Sequence, residues 1–372
     1  MEKKKFKIIK TAKDGRRWGE IITKHGKIKT PFFMPDATRG YLKLLSRGDL
    51  EKIDMGPMVV NTYHLYLQPQ MEIIKKAGGI HKFMDWSKPL LSDSGGFQVF
   101  SLVHRHANMG KITDDHVRFR SPLDGSWHEL TPEKSIQIQF DLGVDMMVCL
   151  DDCPPNSYSK EQLAEAVDRT IAWAKRCKKE YLKQIKKRKI KADDRPLLFG
   201  VIQGGSELDL RKYCTEELVK IGFDGYGFGA MPVDEHGNFL EEVLRYTAEL
   251  IPKDALRFAL GIGTPEDIMR CARLGWDMFD CVIPTREGRH GRLFFNLPRP
   301  GKRFYKTVNI TNAQFKKDLS AINKNSRVPE LRQHTKAYLY HLFKMKEGLG
   351  QRLASLHNLE FYMDFLKTLR KS

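Results

Sequence analysis

No apolar run in this chain approaches the roughly 20 residues that a helix needs to cross a bilayer, so the sequence gives no support for a membrane-spanning protein. Cysteine is sparse. The six, Cys149, Cys153, Cys177, Cys214, Cys271 and Cys281, form no CxxC pair, which leaves neither a disulfide framework nor a zinc ribbon to be read. They read as reduced thiols, most of them small core residues. Low-complexity tracts and solenoid repeats are missing too. The N-terminus, MEKKKFKIIK, is basic but has no signal-peptide apolar core, and the cytoplasm is the expected compartment. Acidic charge is in deficit: 46 Asp and Glu stand against 64 Lys and Arg, for a net charge of +18. Such an excess favours a polyanionic partner, with nucleic acid ahead of membrane.

What is present is enough for a sizeable core, since 41% of the 372 residues are hydrophobic. The stretch GRRWGEIITKHGKIKTPFFMP predicts hairpins that open the fold, and Ser46–Lys52 a short helix. Strand-then-helix units follow, with strands expected at Met58–Asn61, Leu90–Ser92, Met146–Leu150, Leu197–Ile202, Gly225–Gly229, Arg257–Gly261 and Met278–Ile283. An eighth is concealed near Phe32–Met34. The clearest helix starts after Ser159, with Gln162 completing a capping box. Lys175–Lys191 reads as the solvated basic end of that helix. Repeated β–α units with brief apolar strands indicate a parallel sheet covered by helices, and eight of them an α/β protein of the (β/α)8 TIM-barrel type. Residues 1–300 are assigned to the barrel and 301–372 to a C-terminal helical subdomain, with Tyr338, Leu342 and Met345 at helical spacing.

Polar residues gather where a barrel of this kind builds its site, at the C-terminal ends of strands. In SDSGGFQVF, Asp93 follows an apolar stretch, Ser94 and the pair Gly95–Gly96 let backbone approach a ligand, and Phe97 offers a face on which a planar base can stack. In CLDDCPP, Asp151 and Asp152 are adjacent, so at most one faces the site. A carboxylate there suits the N–H edge of a guanine-like base. GVIQGGS puts Gln203 at a strand end, where its buried amide needs a partner. GAMPVDE brings Ala230, Met231 and Glu235 to the same rim, and GIGTPED forms a turn opening a helix at Pro265. In FDCVIPTREGRHGR, Asp280 ends an apolar strand, and Arg286, Arg289 and Arg292 follow with Gly288 and Gly291 between them. That segment reads as a loop suited to forked recognition of phosphate.

These motifs, with NTYHLYLQP and HKFMDWSKPLLSDSGG, closely resemble the tRNA-guanine transglycosylase family, from about Phe6 to Leu369. The resemblance implies exchange of guanine 34, the wobble base of GUN-anticodon tRNAs, for a 7-deazaguanine, either preQ1 or queuine, in queuosine modification. It implies Asp280 as nucleophile and Asp93 as general acid/base. Phe97 would stack on the base, and Asp151 and Gln203 would bind its edge. The anticodon would meet Gly261, Ile262, Gly263, Thr264, Pro265, Glu266 and Asp267, and also Thr285, Arg286, Glu287, Gly288 and Arg289. The implied reaction needs no cofactor, and the family implies a homodimer. A non-catalytic tRNA-binding subunit of a heterodimer is the alternative, against which the intact Asp93 and Asp280 argue.

The chain departs from the family in three places, one of them Thr264, which stands where many relatives have Lys and so weakens one expected anticodon contact. The CxCxxC of the family's structural zinc falls on Ser326, Val328 and Leu331, which leaves His357 alone. One imidazole cannot hold a four-coordinate zinc, so no metal is expected, with Val328, Pro329 and Leu331 filling the space. The family's GGLAVGE is GAMPVDE here, in which Val233 argues for the bacterial, preQ1-inserting pattern.

Overall fold

The computed structural model describes residues 4–105, 107–234, 236–297 and 304–371. Eight short strands form one parallel sheet: β1 (Phe32–Pro35), β2 (Met58–Asn61), β3 (Leu90–Asp93), β4 (Met146–Val148), β5 (Leu197–Ile202), β6 (Gly225–Phe228), β7 (Leu256–Ala259) and β8 (Met278–Cys281). Their order is β1-β8-β7-β6-β5-β4-β3-β2. A parallel bridge between Asp36 and Val59 joins the two ends of that order, as does the Ala37 N–H donating to the Val59 carbonyl at 2.7 Å. The sheet is therefore a closed (β/α) barrel, and all eight expected strands are present with ends shifted by a few residues.

The strands read as unbroken apolar runs because both of their faces are covered. Alternate residues diverge. Phe32, Met34, Val59, Leu91, Met146, Val148, Leu197, Phe199, Val201, Leu256, Phe258 and Met278 pack one core inside the barrel. Their neighbours Phe33, Val60, Leu90, Met147, Leu198, Ile202, Ala259 and Phe279 belong to a second core under the helices. Continuing the inward set to the C-terminal ends gives Asp36, Asn61, Asp93, Gln203 and Asp280. An apolar plug thus ends in a polar ring at one mouth.

The opposite mouth is tied shut. The N-terminal antiparallel sheet, Phe6–Thr11, Arg17–Thr23 and Gly26–Thr30, lies there. Asp145, at the start of β4, accepts the His25 and Leu90 N–H groups at 3.1 and 3.0 Å. The His25 and His81 rings stack at 3.6 Å beside it. Burial alone would raise the Asp145 carboxyl, but its bonds with His25 and His81 prevail and hold it well below the ordinary range.

Three expectations change at the C-terminal side. Pro284–Arg289 is no loop: Ile283–Arg289 is a short helix, with Pro284 in its first turn. A Cβ at Gly288 would lie 2.7 Å from the Ser355 backbone, so this glycine serves contact with the helix Gly348–Leu369 rather than approach to a phosphate. The helix Lys336–Lys344 buries Leu339 and Leu342 and leaves Tyr338 and Met345 exposed, so its inward stripe is narrower than the spacing suggested. The boundary assigned at 300/301 falls outside the described residues.

The residues at the former zinc positions do not fit a metal. Val328 and Leu331 are fully buried in the main core, whereas Pro329, also expected to fill the space, is exposed as the first residue of a short helix. The Ser326 hydroxyl and the Arg327 N–H both donate to the buried Glu360 carboxylate. His357 Nε2 lies 2.8 Å from the Phe294 carbonyl, and burial lowers its imidazole to about 4. Apolar contact and a carboxylate-centred turn hold the place of a metal. Leu331→Ala should therefore cost about 2–5 kcal/mol in urea unfolding, whereas a chelator should leave the melting temperature unchanged. Stoichiometric zinc in the purified protein would contradict this account.

Candidate active site

A cavity of about 390 Å³ opens at the polar mouth, lined by Asp36, Asn61, Asp93, Phe97, Asp151, Met231 and Asp280 among others. Each acid arrives from the end of a different strand. Asp280 Oδ1 accepts the Gly261 N–H at 2.8 Å, which leaves Oδ2 for chemistry. Burial, together with the nearby Asp93 charge, pushes Asp280 up to about 7, although the Gly261 bond favours its charged form. Asp93 accepts Asn61 Nδ2 at 3.0 Å and the Ser94 N–H at 2.8 Å. Burial raises its carboxyl against those donors and that of Gln98.

The other side of the cavity is built differently. Asp151 lies in the cavity wall, and burial pushes it up to about 7. Asp152 turns away, to Arg169 at 2.5 Å, as adjacent extended residues must. Gln203 does not line the cavity. It is fully buried behind Asp151, to which its Nε2 donates at 2.7 Å, and its Oε1 has no partner. The expected contact from Gln203 to a ligand is thus an orienting contact to Asp151. Phe97 is 49% exposed at the rim, which removes the alternative that it is a core residue.

Ser94, Gly95 and Gly96 shape the wall rather than line it. The Ser94 hydroxyl accepts the Gly96 N–H at 3.2 Å. Gly95 has φ +83° with Tyr63 backbone against it, a position closed to side chains. Ala230 lines the rim with φ 78°, a conformation that strains any residue with a Cβ. Asn156 holds this loop through the Met231 and Val233 carbonyls at 3.1 and 2.7 Å. Val233 pairs with Phe239 in a bridge and does not reach the cavity, so its value as a marker of substrate choice is indirect. Glu235 lies outside the described residues.

Of the two segments assigned to an anticodon, Gly261 is at the rim and exposed, while Ile262, Gly263 and Pro265 are buried. Thr264 caps its own helix by accepting the Asp267 N–H at 3.2 Å. In the second segment Arg286 is exposed, Arg289 half-buried, and Thr285 and Gly288 buried. Exposed Glu266 receives the Tyr305 hydroxyl, and Glu287 lies 3.6 Å from Arg292.

Sequence reasoning missed three contributors. Asp36 carries a fourth carboxyl into the cavity; its signal was the period of two after Phe32 and Met34. Asn61 sat within a quoted motif without a role. Arg211, fully buried, donates to the Gly205, Ile202 and Gly229 carbonyls at 2.9, 2.8 and 2.9 Å, so one guanidinium staples the ends of β5 and β6. Nothing in its helical context, LDLRKYC, marks it. For metals, the cluster with suitable donor spacing among the described residues is His25, His81 and Asp145 at the far mouth. Both Asp145 oxygens already accept backbone N–H groups there, which makes it a clamp.

The arrangement can hold a flat, N–H-rich heterocycle between Phe97 and the Asp151–Gln203 pair. It brings the Asp93 and Asp280 carboxyls to that same cavity. A family model described as Queuine tRNA-ribosyltransferase matches residues 13–372. The chain is 42% identical to a queuine tRNA-ribosyltransferase of Halothermothrix orenii, over 95% of this chain and 89% of the relative. It is 41% identical to one from Caldanaerobacter subterraneus, over 99% and 93%, and 40% identical to one from Staphylococcus aureus, over 99% and 92%.

Strain at the rim can be measured. Ala230→Gly relieves a left-handed conformation worth about 1–2 kcal/mol, against about 0.4–1 kcal/mol for glycine's greater unfolded-state freedom. The urea midpoint should rise slightly; a fall would show that Ala230 packing outweighs the strain.

Proposed function

The chain belongs to the queuine tRNA-ribosyltransferase family, and from that premise we propose that it exchanges guanine 34 of GUN-anticodon tRNAs for a 7-deazaguanine base, with Asp280 as nucleophile and Asp93 as acid and base. The observation that carries this reading is the meeting of Asp280, Asp93, Asp151 and Phe97 around one cavity of base size. The Asp280 Oδ2 attacks the ribose C1′ as the bond to guanine breaks, forming an ester that keeps the RNA strand whole. Positive charge that develops on the ribose lies against a carboxylate. Asp93 gives its proton to the departing guanine. It then takes one from the incoming base, whose nitrogen displaces Asp280 from C1′.

Burial raises both carboxyls and so keeps protons on the cluster to higher pH than on free carboxylates. Asp151, oriented by Gln203, would accept the N–H edge of the base. The base must leave its stack to enter, which an anticodon loop allows more cheaply than a duplex. Exposed Arg286 follows directly on the strand of the nucleophile and suits the flanking phosphates. Among the described residues no helix is long and apolar enough to cross a membrane, and we assign the enzyme to the cytoplasm and, with its family, to a homodimer. The choice between preQ1 and queuine would be read by giving the enzyme both bases with one tRNA.

Asp280→Ala should abolish both labelled-guanine exchange and a covalent RNA adduct trapped under denaturing conditions; exchange retained at the wild-type rate would remove Asp280 from its role. Because the raised Asp280 carboxyl becomes a nucleophile only on losing its proton, adduct formation should climb with pH through about 7. A rate flat from about pH 5.5 to 8 would contradict that assignment. Arg286→Ala should weaken tRNA binding and reduce the salt slope by about one ion.

A further inference from the structure

Asp36 has no part in the mechanism above, yet it occupies the cavity. It continues the inward period of β1, and β1 pairs with β8, where Cys281 lies opposite Pro35. Around the mouth the order is therefore Asp280, Asp36, Asn61 and Asp93 on β8, β1, β2 and β3. The Asp151–Gln203 pair stands across the ring on β4 and β5. Asp36 Oδ1 is shielded from solvent and has no hydrogen-bond partner. An orphaned buried carboxyl oxygen costs about 1–3 kcal/mol, and a ligand group that fills the cavity can recover that cost.

We propose that Asp36 contacts the 2′-hydroxyl of the nucleotide whose base is exchanged and so makes the enzyme selective for RNA at that position. The proposal rests on the transglycosylase reading above. With the base toward Asp151 and C1′ at Asp280, the sugar lies on the side of β8, β1 and β2. A phosphate is excluded there by the acids around it. A donor to the ring oxygen would oppose the charge forming on the ribose. The 2′-hydroxyl, one bond from C1′, both donates and accepts, and hydrogen bonds to it strengthen in transition states of this kind. Burial first, then the Asp280 and Asp93 charges, raise the Asp36 carboxyl well above its ordinary range. Intrinsic chemistry favours cleavage of the deoxynucleoside, because the 2′-hydroxyl withdraws electrons from the forming cation. Preference for ribose must then come from a protein contact.

The test uses the full-length enzyme with two anticodon stem-loops, one with guanosine and one with 2′-deoxyguanosine at the target, and reads labelled-guanine exchange. Asp36→Val should lower kcat/KM on the ribo substrate about 10- to 100-fold, the range expected for one lost hydrogen bond to a charged transition state. The deoxy rate should stay within about threefold, and Asp36→Asn, which keeps donor and acceptor, should retain part of the ribo preference. Melting curves establish that both variants fold, and Asp36→Asn alone decides if the valine variant does not. An equal fall on both substrates would overturn the proposal and make Asp36 a partner of Asp280. Unchanged rates, or a change confined to the KM of the free base, would also overturn it. A wild-type enzyme inactive on the ribo stem-loop that nonetheless binds it would sink the transglycosylase reading, and this proposal with it.

Discussion

Everything at the active mouth depends on closure of the sheet between β1 and β2. The seam is slight: the Asp36–Val59 bridge, the Ala37 N–H to Val59, and the Asn61 N–H to the Thr38 carbonyl at 3.2 Å. Without it the eight strands would be an open sheet, and Asp280 at one end of the order would not face Asn61 and Asp93 at the other. Closure turns a list of strand-end residues into a ring. It also forces the acids together, because inward positions at one level of a barrel have nowhere else to point.

Crowded acids in a low-dielectric mouth share protons reluctantly. The chain manages this with selected donors instead of counter-ions: the Gly261 N–H on Asp280, Asn61 and Ser94 on Asp93, Gln203 on Asp151. On Asp280 and Asp151 the donor fixes one oxygen and leaves the other available, whereas both Asp93 oxygens accept a donor. Arginine is kept outside that ring: Arg211 orders backbone behind β5 and β6, and Arg286 is exposed to solvent, so neither neutralises the acids.

The C-terminal helix Gly348–Leu369 completes the support. Asn358 donates to the Pro284 and Arg292 carbonyls at 3.0 and 2.9 Å and accepts the Phe294 N–H at 3.1 Å. The Tyr362 hydroxyl donates to Gly263 at 2.6 Å. These bonds grip the chain just past β8 and β7, where Asp280 and Gly261 emerge. Loss of the zinc cysteines leaves this grip intact, because the core around Val328 and Leu331 holds the neighbouring turn by packing and Glu360 holds its polar groups.

The sequence by itself determined the eight strands, the capped helix after Ser159 and the acids Asp93, Asp151 and Asp280. Apolar runs of strand length, cap spacing and polar residues at run ends are local signals, and unbroken motifs placed the chain in its family. It also foretold the apolar filling at Val328 and Leu331. Tertiary structure decided the rest. It made a helix of Ile283–Arg289, because Gly288 is needed against Ser355 and not against a ligand. It withdrew Gln203 behind Asp151, buried Arg211 as a staple, and brought Asp36 beside Asp280. Each of these depends on partners more than fifty residues away or on another strand, and no local pattern in a chain records which strands will meet across a closing barrel.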